Sequence, residues 1–354
     1  EKSSNITQSS LDQMEAIDNP NLPTSIEVLD IEEKVELEQP QESMQRISLF
    51  PPDEELDKYL PLGLNTAFDD EFKFSPRDLI LVGGRRGAGK SITCCNIANN
   101  VFESGKSAIY FTIEMDSREI LQRCCAIATG IAHDKLRKRT LSVTEWETVA
   151  AWWANRFVDA DEKLREYHDH RDFDRLHYEL KTNCELLPTQ QLDVVYDASL
   201  TISKIRAELD KKVKSAMEVG VVIVDYINQV KRSNLPSRAG QYDWTEQIEV
   251  SKALKSMAQE YEVPVYSPYQ IDATGEARFA KGILDAADAA FTIDTWKTED
   301  AIMSFNCTKM RSGKMGTFTS TMNWESLKIG PDTALTPDER EQEEHKTGEE
   351  INDI

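Results

Sequence analysis

Long apolar runs are missing from this sequence. No stretch of about 18 consecutive apolar residues occurs, which excludes a membrane-spanning helix, and there is no signal-peptide h-region. Cysteine is scarce: Cys94, Cys95, Cys124, Cys125, Cys184 and Cys307 include no C-x-x-C pair. Adjacent cysteines make poor disulfide partners, so these read as reduced, buried thiols of a cytosolic protein. Histidine is scarcer still, and His168 and His170 fall in a very polar helical stretch that suits a solvated surface better than a metal site. No repeat of fixed period is present.

Positive charge is also in deficit. The 41 Lys and Arg face 63 Asp and Glu, a formal net charge of −22. Taken whole, that balance argues against a nucleic-acid partner. The acids are concentrated at the two ends, however: residues 1–46 carry −8, residues 331–354 carry −7, and the body between them carries the remaining −7. The ends therefore do not report on the surface of the body. Low hydrophobicity and runs such as Glu36-Leu37-Glu38-Gln39-Pro40 predict that 1–46 is a mostly disordered acidic tail, with room for one docking helix within Ser25–Glu38. Residues 331–354 read as a second acidic tail. With 40% hydrophobic residues the chain has enough for one large α/β domain plus tails, or for two small domains.

Within the body, apolar β-runs alternate with helical patterns. Strands are predicted at Leu79–Val82, Ala108–Ile113, Leu192–Tyr196, Val221–Asp225, Val265–Tyr269 and Ala289–Ile293, followed by a hairpin of Met303–Cys307 and Thr317–Met322. Helices are predicted over Ser91–Ser104, Arg118–Thr129 and Ile202–Met217, with another ending at Glu262. The charged, aromatic stretch 134–186 carries no strand signal and reads as helices projecting from the sheet. Alternation of this kind gives a mainly parallel, twisted sheet covered on both faces.

The residues richest in chemical meaning are Gly84-Arg85-Arg86-Gly87-Ala88-Gly89-Lys90-Ser91, which fit G-x-x-x-x-G-K-[ST] between a strand and a helix. Glycines allow many backbone N–H groups to approach a triphosphate closely, and the following helix turns its positive end toward it. Lys90 is then expected on the β- and γ-phosphates and the Ser91 hydroxyl on Mg²⁺, with ATP or another NTP bound. Asp225 closes the run Val221-Val222-Ile223-Val224, where a strand-end acid can hold the Mg²⁺ shell. Glu114 closes Phe111-Thr112-Ile113, and an acid beside the P-loop can activate the attacking water.

With these segments in place, the chain resembles the replicative DNA helicases of the DnaB family, hexameric ring motors with a RecA-like P-loop NTPase core. Phe111-Thr112-Ile113-Glu114-Met115 looks like the family's F-S-L-E-M, and Asp225-Tyr226-Ile227-Asn228 is similar to its D-Y-L-Q. Ser251-Lys252-Ala253-Leu254-Lys255-Ser256-Met257-Ala258 resembles S-R-x-L-K-x-L-A, with Val263-Pro264-Val265 after it. Lys309-Met310-Arg311-Ser312-Gly313-Lys314-Met315-Gly316-Thr317 looks like K-x-R-x-G-x-x-G-T. The resemblance implies that Glu114 is the catalytic base and that Gln270 senses the γ-phosphate. It also implies that Lys309 and Arg311 are fingers entering a neighbouring subunit's site. It covers residues 60–326 and implies one RecA-like ATPase/helicase domain over 47–330, with a helical extension at about 134–188.

There are departures. Where the family has an N-terminal helical domain, the short acidic tail is expected to stand instead, an arrangement that would suit a bacteriophage replication system. Asn228 stands where the family has Gln. The DNA-contacting R-E-S-G loop reads Arg278-Phe279-Ala280-Lys281 here, so only Arg278 carries over. On physical grounds, Lys231, Arg232 and Arg238 follow Asp225, and Arg278 and Lys281 follow Gln270. Both groups are expected on loops at strand carboxyl ends, lining a pore that tracks one DNA strand by its phosphates. The expected function is a replicative DNA helicase, an NTP hydrolase acting as a homo-hexamer on single-stranded DNA. Primase, polymerase or a helicase loader would be its partners, in the cytoplasm and away from membranes. A RecA- or RadA-like recombinase and a KaiC-like regulatory ATPase are the alternatives.

Overall fold

The computed structural model describes residues 58–215, 217–231, 244–271, 281–296, 302–313 and 316–332. The expected acidic tail 1–46 and the tail beyond residue 332 lie outside the described residues.

In chain order the elements are α1 (Thr66–Glu71), β1 (Leu79–Gly84), α2 (Lys90–Glu103), β2 (Ser107–Thr112) and α3 (Ser117–Thr129). Four helices follow: α4 (His133–Lys138), α5 (Val143–Ala154), α6 (Asp161–His170) and α7 (Phe173–Asn183). The chain then runs through β3 (Leu192–Tyr196), α8 (Ile202–Lys214), β4 (Val219–Asp225), a single 3₁₀ turn Ile227–Gln229, α9 (Trp244–Tyr261) and β5 (Val265–Gln270). It ends with α10 (Lys281–Ala286), β6 (Ala289–Trp296), β7 (Ile302–Met310), β8 (Thr317–Asn323) and β9 (Lys328–Asp332). Among the described residues the nine strands form one sheet in the order β3-β2-β4-β5-β1-β6-β7-β8-β9. Pairing is parallel from β3 through β6 and antiparallel from β6 to β9.

The unbroken apolar runs of the central strands follow from burial on both faces. Ile80, Val82, Tyr110 and Ile223 point into a core shared with Cys94, Ile97 and Val101 of α2. Their neighbours Leu79, Leu81, Phe111, Val222 and Val224 point the other way, against Ile205 and Leu209 of α8 and Val250, Leu254 and Met257 of α9. Each such aliphatic side chain contributes about 1.5–3 kcal/mol of transfer free energy. Period-two alternation thus sets two cores, and it also sets which strand-end residues point toward a ligand.

Helix ends obey local chemistry. Asp116 caps α3 by accepting from the Glu119 N–H, and Gly130 ends that helix at φ +72°. Ser142 and Glu145 form a capping box on α5. Helices α4–α7 bear out the strand-free reading of 134–186, and they bury a small cluster of their own around Ala150, Tyr167, Leu176 and Leu180. Arg156 ties this extension to α2: its guanidinium lies 4.0 Å from the Trp152 ring centroid, 4.7 Å from Trp153 and 5.5 Å from Phe102. Burial pulls its pKa down to about 10.

Three details differ from the sequence reading. The predicted hairpin is the first part of a β7-β8-β9 meander. Strand β9 carries the folded body through Asp332, two residues past the expected boundary, because the Asp332 carboxylate accepts the Thr66 and Ala67 N–H groups at 2.7 and 3.0 Å. Of the cysteines, all free, Cys94, Cys95, Cys124 and Cys125 are buried, whereas Cys184 and Cys307 are only partly so. Among the described residues no helix is long and apolar enough to cross a membrane.

Candidate functional site

Strand β1 delivers the chain to the sheet's carboxyl edge, where the glycine-rich turn begins. Gly87 and Gly89 adopt φ +82° and +89°, conformations that favour glycine, and Gly89 is also the N-cap of α2. The turn wraps back on its own lysine: Lys90 Nζ donates to the carbonyls of Gly84 and Arg85 at 2.8 and 2.9 Å. Burial lowers the Lys90 pKa, and the neighbouring Asp225 carboxylate acts in the opposite direction.

Because β2, β4 and β5 run parallel and adjacent, their last residues arrive side by side. Glu114 follows β2, Asp225 ends β4 and Gln270 ends β5. These three line a cleft of about 500 Å³ together with Arg86, Gly87, Gly89, Lys90, Ser91, Arg123 and Tyr226. The expected phosphate-binding, metal-holding and water-activating residues are therefore neighbours, although Gly84, Arg85 and Ala88 are not among the residues lining that cleft.

Asp225 is 5% exposed, and burial raises its pKa. Hydrogen bonds from the Tyr110 hydroxyl, at 2.7 Å to Oδ2, and from Ser91 act against that rise. Glu114 adds a second negative charge nearby. A hard divalent cation fits this donor set: it consists of oxygen only, and its buried carboxylate bears an electrostatic cost that a cation relieves. Among the described residues no group of three or more His, Cys, Asp or Glu could hold a metal by themselves, so such an ion would depend on Ser91, Asp225 and the nucleotide.

Glu114 is held in place. Its Oε1 accepts from Gln229 Nε2 at 2.7 Å and from the Tyr226 hydroxyl at 3.3 Å. Gln229 Nε2 also donates to the Tyr226 oxygen at 2.6 Å. On the other side of β4, Asn228 Oδ1 accepts the Gln270 main-chain N–H at 3.1 Å.

The two expected fingers lie elsewhere. Lys309 Nζ donates to the carbonyls of Leu284 and Asp285, at the end of α10, at 2.6 and 3.0 Å. Arg311 Nη1 donates to Asp288 Oδ1 at 3.0 Å, and its own N–H donates to the Asp288 carbonyl at 2.8 Å. Asp288 Oδ2 accepts the Leu79 N–H at 2.8 Å and Lys255 Nζ at 2.6 Å. Both cations thus sit at the amino edge of the parallel strands, away from their own P-loop.

Of the expected DNA-contacting residues, Lys231 is exposed just after the 3₁₀ turn, its backbone pinned to Leu200 and Ile202. Arg232, Arg238 and Arg278 lie outside the described residues. Lys281 is not on a loop: it is the first residue of α10. Sequence reasoning passed over Tyr110, Arg123, Tyr226 and Gln229. Tyr110 and Tyr226 read as strand core and strand end. Arg123, which pairs with Glu119 at 2.8 Å, carries no motif signal beyond its i,i+4 spacing.

The chain matches the family described as "DnaB-like helicase C terminal domain" over residues 63–282. It is 25% identical over 210 residues to the replicative DNA helicase DnaB of a Nostoc species, covering 59% of this chain and 20% of that protein. It is 23% identical over 283 residues to DnaB of Buchnera aphidicola subsp. Baizongia pistaciae, covering 74% of this chain and 54% of the relative. The chain thus spans between a fifth and about half of the length of these two relatives. A solved ATPase-domain structure superposes with a TM-score of 0.58 at 17% identity, over 89% of this chain and all of that one. A DnaB-like replicative helicase structure does so at 0.55 and 16%, over 91% of this chain and 70% of the other. With the P-loop, the strand-end acids and the mostly parallel sheet in this arrangement, the chain belongs to the DnaB-like helicase C-terminal domain family.

Proposed function

We propose that this chain is the motor of a replicative DNA helicase, hydrolysing ATP or another nucleoside triphosphate between the subunits of a homo-hexameric ring. Hydrolysis would drive movement along single-stranded DNA and part a duplex ahead of the ring. The observation that carries this reading is the division of charged groups between the two ends of the sheet. Lys90, Ser91, Glu114, Asp225 and Gln270 stand at the carboxyl end, and Lys309 and Arg311 at the amino end. A head-to-tail contact brings one subunit's amino edge to the next subunit's nucleotide, and repetition of such a contact closes a ring.

In this reading Lys90 leaves the Gly84 and Arg85 carbonyls to neutralise the β- and γ-phosphates, and the N–H groups of 84–91 cradle them. Ser91 and Asp225 hold Mg²⁺, which when bound screens the phosphate charge. Glu114 takes a proton from the attacking water, Gln270 contacts the γ-phosphate, and the neighbour's Lys309 and Arg311 stabilise the charge on the transferring group. Lys231, Arg232, Arg278 and Lys281 are proposed to follow the DNA phosphates. One solved neighbour is described through its interactions with primase. A primase, a polymerase or a loader is the protein partner proposed here.

The test is unwinding of a forked duplex with ATP and Mg²⁺, with Lys90→Ala as control and particle imaging on DNA. Unwinding by wild type alone, with six-membered rings, is expected. Long filaments without unwinding would favour a recombinase. Hydrolysis that DNA fails to stimulate would favour a regulatory ATPase.

A further inference from the structure

The 3₁₀ turn Ile227–Gln229 directly follows Asp225 and Tyr226, which line the cleft, and its side chains bond to two further cleft residues, Glu114 and Gln270. Strand β4 runs between β2 and β5, so the turn that follows it emerges between Glu114 on one side and Gln270 on the other. Two successive amides reach in opposite directions. Gln229 Nε2 donates to Glu114 Oε1 at 2.7 Å, and Asn228 Oδ1 accepts from the Gln270 N–H at 3.1 Å. The turn is anchored from beneath by Ile227, fully buried, and by Gln247 of α9, which donates to the Asn228 carbonyl at 3.1 Å.

From this geometry we infer that Gln229 is a positioning residue, with Asn228 as its anchor. It fixes the Glu114 carboxylate against the turn and links the placement of Glu114 to that of Gln270. The inference rests on the reading of Glu114 as the water-activating base. Gln229 and Tyr226 converge on the same oxygen, Oε1, which leaves Oε2 as the oxygen for water. A free glutamate side chain has three torsions to fix, and a base must lie within hydrogen-bond reach of its proton. A single strong donor on one oxygen removes most of that freedom. The amide suits this role better than a lysine would, since it orients the carboxylate without neutralising it. The family pattern D-Y-L-Q ends one residue earlier, at Asn228. In this chain the residue at that position, Asn228, bonds to Gln270, and the amide that reaches Glu114 is the next one along, Gln229.

The test compares Gln229→Met, Gln229→Leu and Glu114→Gln in the full chain. It measures steady-state ATP hydrolysis with Mg²⁺ and the affinity for a fluorescent ATP analogue. Gln229→Met keeps the length of the side chain and removes the donor without adding charge, so it also serves if the leucine variant fails to fold. Both Gln229 variants are expected to lose about ten- to a hundredfold in kcat, the scale on which a misplaced catalytic group acts, with KM and analogue affinity unchanged. In the Glu114→Gln background a Gln229 substitution should cost nothing more. Wild-type kcat in the Gln229 variants, beside an inactive Glu114→Gln, would overturn this inference and leave the base assignment standing. Equal losses of affinity and rate would make Gln229 structural and overturn it too. Wild-type turnover in Glu114→Gln would remove the base assignment itself.

Discussion

Arg311 is paired with Asp288 at 3.0 Å at the foot of β1, and Asp288 also accepts the N–H of Leu79, the first residue of that strand. The P-loop starts at the other end. A six-residue strand separates the two by about 20 Å at roughly 3.3 Å per residue. Arg311 therefore cannot reach a nucleotide bound at its own P-loop. If it is a finger it acts in trans, and such fingers are worth about 10³–10⁵ in rate. Arg311→Ala and Lys90→Ala are each expected to be nearly inactive. Mixed, they should regain part of the hydrolysis, because some interfaces then join an intact Arg311 to an intact P-loop. Subunit exchange is established first by energy transfer between labelled subunits. No recovery despite exchange would exclude independent trans sites.

Tyr110→Phe tests the buried side of Asp225, the acid proposed to hold the metal. The substitution keeps the ring in the core and deletes only the 2.7 Å donor to Asp225. Hydrogen bonds to charged groups are worth about 1.5–3 kcal/mol, and that loss should appear in the urea midpoint at pH 7 without nucleotide. A midpoint unchanged within error would mean that Ser91 alone satisfies the carboxylate.

The DNA-facing assignment is checked by salt. Arg278→Ala and Lys231→Ala should each weaken single-stranded DNA binding and leave DNA-free hydrolysis nearly intact. Each lost phosphate contact should flatten the slope of log affinity against log salt by about 0.7. An unchanged slope would take that residue off the DNA path.

Asp69 gives a pH prediction. Its carboxylate accepts the N–H groups of Leu62 and Gly63 at 2.8 and 2.7 Å, yet burial pushes its pKa up to about 6, with Asp332 adding repulsion. A folded pKa above the unfolded one means that the folded state binds the proton more tightly. This residue's contribution to stability is therefore greatest below about pH 4 and falls as pH rises toward 6. The melting temperature of wild type relative to Asp69→Asn should drop between pH 4 and pH 7. The comparison with Asp69→Asn matters because Glu145, lowered to about 2 chiefly by its hydrogen bond from Lys135, shifts in the opposite sense. A constant difference across that range would show that the two backbone donors outweigh burial.

Much of this molecule was legible without coordinates. Leu192–Tyr196 was placed to the residue, and the strands at 79, 108, 221 and 265 to within two residues at each end. Strands buried on both faces are written as uninterrupted apolar runs, and their ends are marked by glycine and acids. The short elements were missed: α1, α10 and β9 have five or six residues each, too few for a period to register. Lys281 was taken for a loop residue for that reason.

What the sequence determined by itself is local. It specified the P-loop, since eight adjacent residues carry its chemistry, and it named Glu114, Asp225 and Gln270 as strand-end groups. Only the tertiary structure decided what those groups face. The strand order sets β4 between β2 and β5, which brings Gln229 to Glu114 and Asn228 to Gln270. The antiparallel return of β7 carries Arg311 to the edge opposite Lys90. The first fact has no trace in the linear order and the second was implied only by resemblance, because strand order and direction follow from which apolar faces pack together across more than a hundred residues of chain.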